Sequence, residues 1–324
     1  MSYTIIRPKD RQEWLSHREG GIGSSEVGTI LGLNPFDTPL QLWRRKRHID
    51  PPMQENEAML MGHLLEDAVA QRWQIATGRT IIKRSATDWL IVNQDRPFLR
   101  VSPDRTFWVD PEGKQNEGNK GILECKTTMY DIDPEDIPLH WFAQLQYQLG
   151  VAEMEYGELG WLCLPRRSFG HKPIAFDREF FEWAVSEVEK FWIDNVQGGI
   201  EPLPTCVEDV LLRNPKHTAG LIVEADPSIV TTCEQLRDVK AKIKELEDEK
   251  KECEEKIKLS IGEAEGICAP GTIGLAKPTI LATWKASKDS TKFNEKRFAD
   301  EHPDLYKQYR EVKTGGRLFL LKLK

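Results

Sequence analysis

The sequence has no run of eighteen or more apolar residues, so no membrane-spanning helix is expected. Residues Met1 to Asp10 lack the apolar stretch of a secretory signal and read as mature protein. Cysteine is sparse. Its six copies (Cys125, Cys163, Cys206, Cys233, Cys253, Cys268) include no C-x-x-C pair, which argues against a zinc ribbon and against a disulfide scaffold. The seven histidines have no metal-ligand spacing, and no internal repeat or low-complexity tract occurs. A basic surplus is missing too: the net charge is -7, which does not favour a nucleic-acid binder acting through its overall charge. A local basic groove beside a carboxylate cluster remains compatible with that balance. A reduced, cytoplasmic compartment fits best.

What is present suits a packed, well-charged protein of about two domains: 324 residues, 39% hydrophobic and 30% charged. A short helix is expected over 10–19, capped by Asp10. The glycine-rich stretch G-G-I-G-S-S-E-V (20–27) leads into a second helix with Ser24 or Ser25 as its N-cap. A third follows from Thr38. A longer one spans 57–77, with Leu60, Leu64, Leu65, Ala68 and Trp73 at helical spacing and Gly78 at its end. The period then changes to that of strands: TIIKRSA, DWLIVNQ, FLRVSPDRTFWVD and GILECKTT, the last two forming a hairpin. A helix over 138–151, strands at 156–164 and near 171–177, and a helix at 179–195 complete one α/β (α+β) domain ending near residue 205.

Residues 206–226 read as a linker. Residues 227–265 read as a long helix or helical arm, begun by Asp226-Pro227 and about 50 Å long at about 1.5 Å per residue. Leu236, Val239, Ile243, Leu246, Cys253, Ile257 and Ile261 recur at three, four or seven residues. Lys250 interrupts a strict heptad, and a helical hairpin or self-packing strut is preferred to an intermolecular coiled coil. Residues 266–324 offer a hairpin (TILATWKA), an aromatic-rich helix (FNEKRFADEHPDLYKQY) and a final strand (RLFLLKLK), a small C-terminal α/β module.

Chemistry concentrates on the first hairpin. Residues two apart on a strand share a face, so Glu124 and Lys126 of L-E-C-K-T point one way and Cys125 points the other, into the core. The hairpin brings Asp104 of V-S-P-D-R beside them. Two carboxylates and a lysine on one face suit a hard cation such as Mg²⁺, which lowers the pKa of a bound water and neutralises phosphate charge. The same spacing also arises on exposed strands as a solvated charge ladder. The helix segment M-G-H-L-L-E-D-A-V adds Glu66, with Asp67 as its rival; geometry alone does not choose between them.

Several ordered motifs resemble the YqaJ-type phage recombination nucleases, the lambda-exonuclease-like branch of the PD-(D/E)xK superfamily. They are R-E-G-G-I-G-S-S-E-V (18–27), G-L-N-P-F (32–36), M-G-H-L-L-E (61–66), S-P-D (102–104), L-E-C-K (123–126) and A-Q-L-Q-Y-Q-L (143–149). The resemblance covers about residues 14–165. It implies a restriction-endonuclease-like core with a central mixed sheet flanked by helices. It implies Asp104, Glu124, the Cys125 carbonyl and Glu66 as ligands of Mg²⁺ (or Mn²⁺), Lys126 as the catalytic lysine, and Gln144 behind the water. It also implies that Arg18, Ser25 and Ser102 hold a terminal 5′-phosphate, which suits a helix N-terminus and a bidentate guanidinium. Family members often carry glycine after the hairpin aspartate; here Arg105 places a charge near the site. The resemblance further implies a ring-shaped homotrimer on double-stranded DNA ends, digesting 5′→3′ and handing 3′ single strands to a phage annealing protein. An endonuclease or flap nuclease of the same fold, and a non-cleaving DNA-end scaffold, are the rival readings.

Overall fold

In the computed structural model, residues 3–51, 56–83, 89–110, 112–113, 117–274, 277–311 and 315–322 are described. Parts of the expected strand TIIKRSA, of the loops at 48–56 and 111–120, and of the C-terminal segment lie outside them. The chain divides into two compact units, Met1–Arg213 and Asn214–Lys324. No helix among the described residues is long and apolar enough to cross a membrane.

The first unit is built on a five-stranded mixed sheet. Its strands are β2 (Ile81–Lys83), β5 (Arg105–Trp108), β6 (Lys120–Thr128), β7 (Tyr156–Cys163) and β8 (Ser168–Ala175), side by side in that order. Only β6 and β7 run parallel; the other neighbours are antiparallel. A separate three-stranded sheet has β1 (Tyr3–Ile6) and β4 (Arg100–Val101) on either side of β3 (Leu90–Asn93). The segment FLRVSPDRTFWVD therefore feeds two sheets, with Ser102, Pro103 and Asp104 crossing between them.

The two faces of the large sheet carry different cores. Helix α4 (Glu57–Thr77) buries Val69, Ala70 and Trp73 against Phe107, Leu123 and Cys125. On the opposite face α5 (Leu139–Ala152) is buried along almost its whole length, with α2 (Ser24–Ile30) and α6 (Arg178–Lys190) contributing to the same cluster. Alternation along β6 thus sends Leu123 and Cys125 toward α4, while Glu124 reaches side chains of α5. Helices α1 (Arg11–Glu19) and α3 (Pro39–Lys46) begin at Asp10 and Thr38, whose side chains accept from Glu13 N and Gln41 N.

Several expectations are corrected. The cap of α2 is Gly23, with Ser24 and Ser25 already in the helix; Glu26 accepts from Gly23 N at 2.7 Å and supplies the capping bond. Leu60 and Leu64 of α4 are exposed, because the sheet covers only the later turns of that helix. Trp183 is also half-exposed, and α6 continues into a π-helical turn, Phe191–Gln197. The stretch expected to be a linker holds a helix, α7 (Val207–Arg213), whose Asp209 is fully buried.

In the second unit α8 (Pro227–Ile261) is one uninterrupted helix of 35 residues and not a hairpin. Asp226 caps it and accepts from Ser228 N. Strands β9 (Gly266–Cys268) and β10 (Ile280–Thr283) pair antiparallel. The expected aromatic helix is two, α9 (Glu295–Glu301) and α10 (Pro303–Tyr309), because Pro303 has no N–H to continue the first. Residues 317–322 of the expected last strand adopt no strand.

Candidate active site

The ladder between β5 and β6 ends at the Arg105–Leu123 pair, one residue before Glu124. Asp104 takes over from it: its carboxylate accepts from the backbone N–H of Cys125 at 2.9 Å. That bond fixes Asp104 beside the strand that carries Glu124 and Lys126. Lys126 Nζ donates to Glu124 at 2.8 Å and to Gln144 Oε1 at 2.8 Å, and Gln144 Nε2 donates to the same Glu124 oxygen at 2.5 Å. The three side chains close a ring of hydrogen bonds.

Glu124 is only 2% exposed. Its second oxygen accepts from Gln148 Nε2 at 2.9 Å, and Gln148 also donates to Ser24 Oγ at 3.1 Å. Sequence reasoning misses Gln148. The signal available is its place one helical turn after Gln144, a second glutamine on the same side of a mostly apolar helix. Its Oε1 is buried with no hydrogen-bond partner among the described residues.

Burial, with Glu124 and Glu66 nearby, pushes the Asp104 carboxyl well above the usual carboxylate range, despite Lys126 and the Cys125 N–H. For Lys126, burial disfavours the charge, but Glu124 and Asp104 outweigh it and raise its pKa. Among the described residues no three acidic, histidine or cysteine side chains already enclose a metal position. Glu124 is instead turned onto Lys126 and the glutamines. The available donors are carboxylate oxygens, and the crowding that raises Asp104 is what a divalent cation would relieve, so the chemistry of the set fits such an ion.

Glu66 and Asp67 are separated by the fold. Glu66 lines the cleft above Asp104 and lies 3.0 Å from His63 Nδ1. Asp67 turns outward and accepts from Arg105 at 2.7 Å. Arg105 itself is buried under α4; it donates to the Asp104 carbonyl at 2.7 Å and lies 3.8 Å from Glu66. Its charge therefore supports the acidic residues from behind and does not face the cleft.

The cleft, about 350 Å³, continues from these carboxylates to a second group of residues. Arg18 donates to Ser25 Oγ at 3.1 Å and stacks over the Trp14 ring at 4.7 Å. The Trp14 indole N–H donates to Ser102 Oγ at 3.0 Å, and Ser102 donates to the Trp89 carbonyl. Arg18, Ser25 and Ser102 are thus brought to one wall. Arg11 and Arg100 also line it, and no sequence motif marks either of them. Ser24 and Ser25 present the N-terminal end of α2 there. Lys46 braces the preceding loop, donating to the Gly21 carbonyl and pairing with Glu26 at 2.9 Å.

A sheet bearing an acid-and-lysine ring beside an arginine–serine pocket defines a class of protein, and residues 13–155 match the YqaJ-like viral recombinase domain. The chain is 30% identical over 322 residues to YqaJ of Bacillus subtilis (strain 168), covering 96% of this chain and 94% of that one. It belongs to the YqaJ family. Among solved structures it is similar to an alkaline exonuclease from Laribacter hongkongensis (18% identity, TM-score 0.47, covering 59% of this chain and 94% of that one). It is also similar to a phage-related exonuclease from Haemophilus somnus 129PT (12% identity, TM-score 0.39, covering 56% and 96%).

Proposed function

We propose that this chain is a divalent-metal-dependent deoxyribonuclease that digests double-stranded DNA from its 5′ ends, leaving 3′ single strands for an annealing protein of phage-type recombination. The observation that carries the reading is the ring of Glu124, Lys126 and Gln144 beside Asp104, in the same cleft as Arg18 and Ser25. A DNA-binding module gains nothing from clustered carboxylates next to phosphates; a hydrolase does.

In this reading Asp104, Glu124, Glu66 and the Cys125 carbonyl would hold Mg²⁺ or Mn²⁺. When bound, the ion would lower the pKa of a bound water and offset charge on the phosphate. Lys126, whose raised pKa keeps it protonated at neutral pH, would orient that water and stabilise the developing negative charge. Gln144 keeps the ammonium and Glu124 in register. Arg18, with Ser25 and Ser102, receives a terminal 5′-phosphate and sets the distance from the end to the scissile bond. A ring-shaped homotrimer around the duplex would make digestion processive.

The test is the product pattern from end-labelled linear DNA with Mg²⁺. Mononucleotides released from the 5′-labelled strand, with no cleavage of covalently closed circles, support the reading. Nicking of closed circles would move the protein to the endonuclease alternative, and no hydrolysis of any DNA would leave an end-binding scaffold.

A further inference from the structure

Helix α8 carries a heptad pattern, interrupted at Lys250, most of whose apolar positions no described residue of its own unit covers. From Ile229, one core position recurs as Ile229, Leu236, Ile243, Lys250 and Ile257, and the other as Thr232, Val239, Leu246, Cys253 and Ser260. Ile229, Val239, Ile243, Leu246 and Ile257 are between 40% and 62% exposed. A seam of this kind, on a helix about 50 Å long at about 1.5 Å per residue, suits pairing with one other helix.

The charges that flank the seam choose the partner and its direction. Lys242, Glu249 and Lys256 lie along one edge; Lys240, Glu247 and Glu254 lie along the other. Among the described residues, Lys240, Lys242, Glu247 and Glu249 form no ion pair within the chain, whereas Glu254 already holds Lys250 and Lys258. Two parallel copies in register would set Lys242 beside Glu247 of the other helix, but would also place Lys250 against Lys250 in one core layer and Glu249 beside Glu254, two repulsive contacts. An antiparallel pair centred between Lys244 and Glu245 removes both. Each Lys242 then faces Glu249 of the other copy, and each Lys240 faces Glu247.

The same alignment stacks Ile243 on Leu246, Leu236 on Cys253 and Lys250 on Val239, where a lysine stem can pack while its ammonium reaches water. It also overlaps the whole helix, because α8 runs from Pro227 to Ile261 and its midpoint is Lys244. Sliding one helix by a heptad either way brings lysine against lysine or glutamate against glutamate across the seam.

We infer that α8 is a homotypic docking element, joining two copies of this chain as an antiparallel two-stranded coiled coil centred near Lys244. The pairing joins chains in twos, so two of the trimeric rings proposed above would be held together through their α8 helices, and the full-length protein forms assemblies with an even number of chains.

The experiment uses the full-length chain. Light scattering should give an even-numbered mass for the wild type. The variants Lys240→Glu/Lys242→Glu and Glu247→Lys/Glu249→Lys should each lose the pairing and halve that mass. Mixing the two variants should restore it, since every flanking contact is then attractive; restoration also shows that neither variant has simply unfolded. Direction is read by mild oxidation and peptide mapping of the Leu236→Cys variant. The antiparallel pair should yield a disulfide between position 236 of one chain and Cys253 of the other. An odd-numbered or monomeric wild type, or no recovery on mixing, overturns the pairing. A Cys253–Cys253 link between chains in the wild type overturns the antiparallel arrangement.

Discussion

Among the described residues Glu124 has three side-chain partners while the Asp104 carboxylate has a single backbone N–H, and this inequality sets their behaviour before any metal arrives. Asp104 is the strained member: burial and two neighbouring carboxylates make its proton harder to lose in the folded chain than in the unfolded one. Between those two values the folded state binds the extra proton, so stability must fall as pH rises from the ordinary carboxylate range through the raised one. Asp104→Asn removes that slope. In metal-free buffer the variant should melt higher than the wild type at neutral pH, and the gap should close on acidification. Mg²⁺ should raise the wild-type melting temperature but not the variant's. A wild type as stable at neutral pH as the variant would contradict the crowding argument. Lys126→Ala should lower hydrolysis by about 10²–10⁴-fold, the usual worth of a positioned proton-handling group, while DNA-end binding persists. Strand alternation alone makes Glu124 and Lys126 legible in the sequence and puts Asp104 nearby. The choice of Glu66 over Asp67 is not legible in the spacing, because adjacent helix residues point in different directions and only the packing of α4 on the sheet shows that Glu66 faces the cleft while Asp67 pairs with Arg105. Gln148 is marked in the sequence only by its place one helical turn after Gln144, which does not tell that its partners are Glu124 and Ser24. Gln148→Leu strands the Ser24 hydroxyl and one Glu124 oxygen, and should cost roughly 1–3 kcal/mol of stability by denaturant unfolding.

At the scale of elements, the start of α2 decides how the phosphate pocket is made. Preference alone predicts a serine at the cap, but Glu26 reaches back to Gly23 N and moves the cap one residue earlier. Ser25 therefore sits inside the first turn, where its hydroxyl meets Arg18 and backbone N–H groups face the cleft. Gly23 matters for the same reason. A Cβ there would lie 2.9 Å from the Arg18 guanidinium. Its backbone is extended, with φ -80 and ψ 157, so alanine is tolerated conformationally. Gly23→Ala should leave stability within about 1 kcal/mol of wild type, since this exchange mainly restricts the unfolded chain. It should nevertheless push Arg18 off Ser25 and reduce the preference for 5′-phosphorylated over 5′-hydroxyl ends several-fold. Digestion of paired substrates differing only in that phosphate measures it; an unchanged ratio would remove Arg18 from the pocket. Helical spacing in α4 identifies the helix but overstates burial at Leu60 and Leu64, because periodicity finds a face without saying how far the sheet extends beneath it.

For the molecule as a whole, the acidic surplus lies entirely within residues 1–213, the unit with the cleft, so its basic groups at Arg11, Arg18 and Arg100 work locally against the wider field. The sequence places the end of that unit too early, because Pro202 and Pro204 look like an exit and no motif marks the residues beyond them as anchored. The anchor is Asp209. Its carboxylate accepts from the Thr38 hydroxyl at 2.7 Å and from Thr205 N at 3.0 Å, with Gln41 at 3.5 Å. These bonds tie α7 to the start of α3, which in turn holds Leu40, Leu42 and Trp43 in the core. A fragment ending at residue 213 keeps the tie, and one ending at 205 loses it. The longer fragment should fold and unfold in one cooperative transition. Losing a buried, charge-assisted anchor should cost the shorter one roughly 3 kcal/mol. At about 2–4 °C per kcal/mol for a unit of this size, its melting temperature should fall by roughly 6–12 °C. Asp209→Ala in the full chain should reproduce most of that loss. Equal melting of the two fragments would place the boundary before α7 and make Asp209 a surface detail.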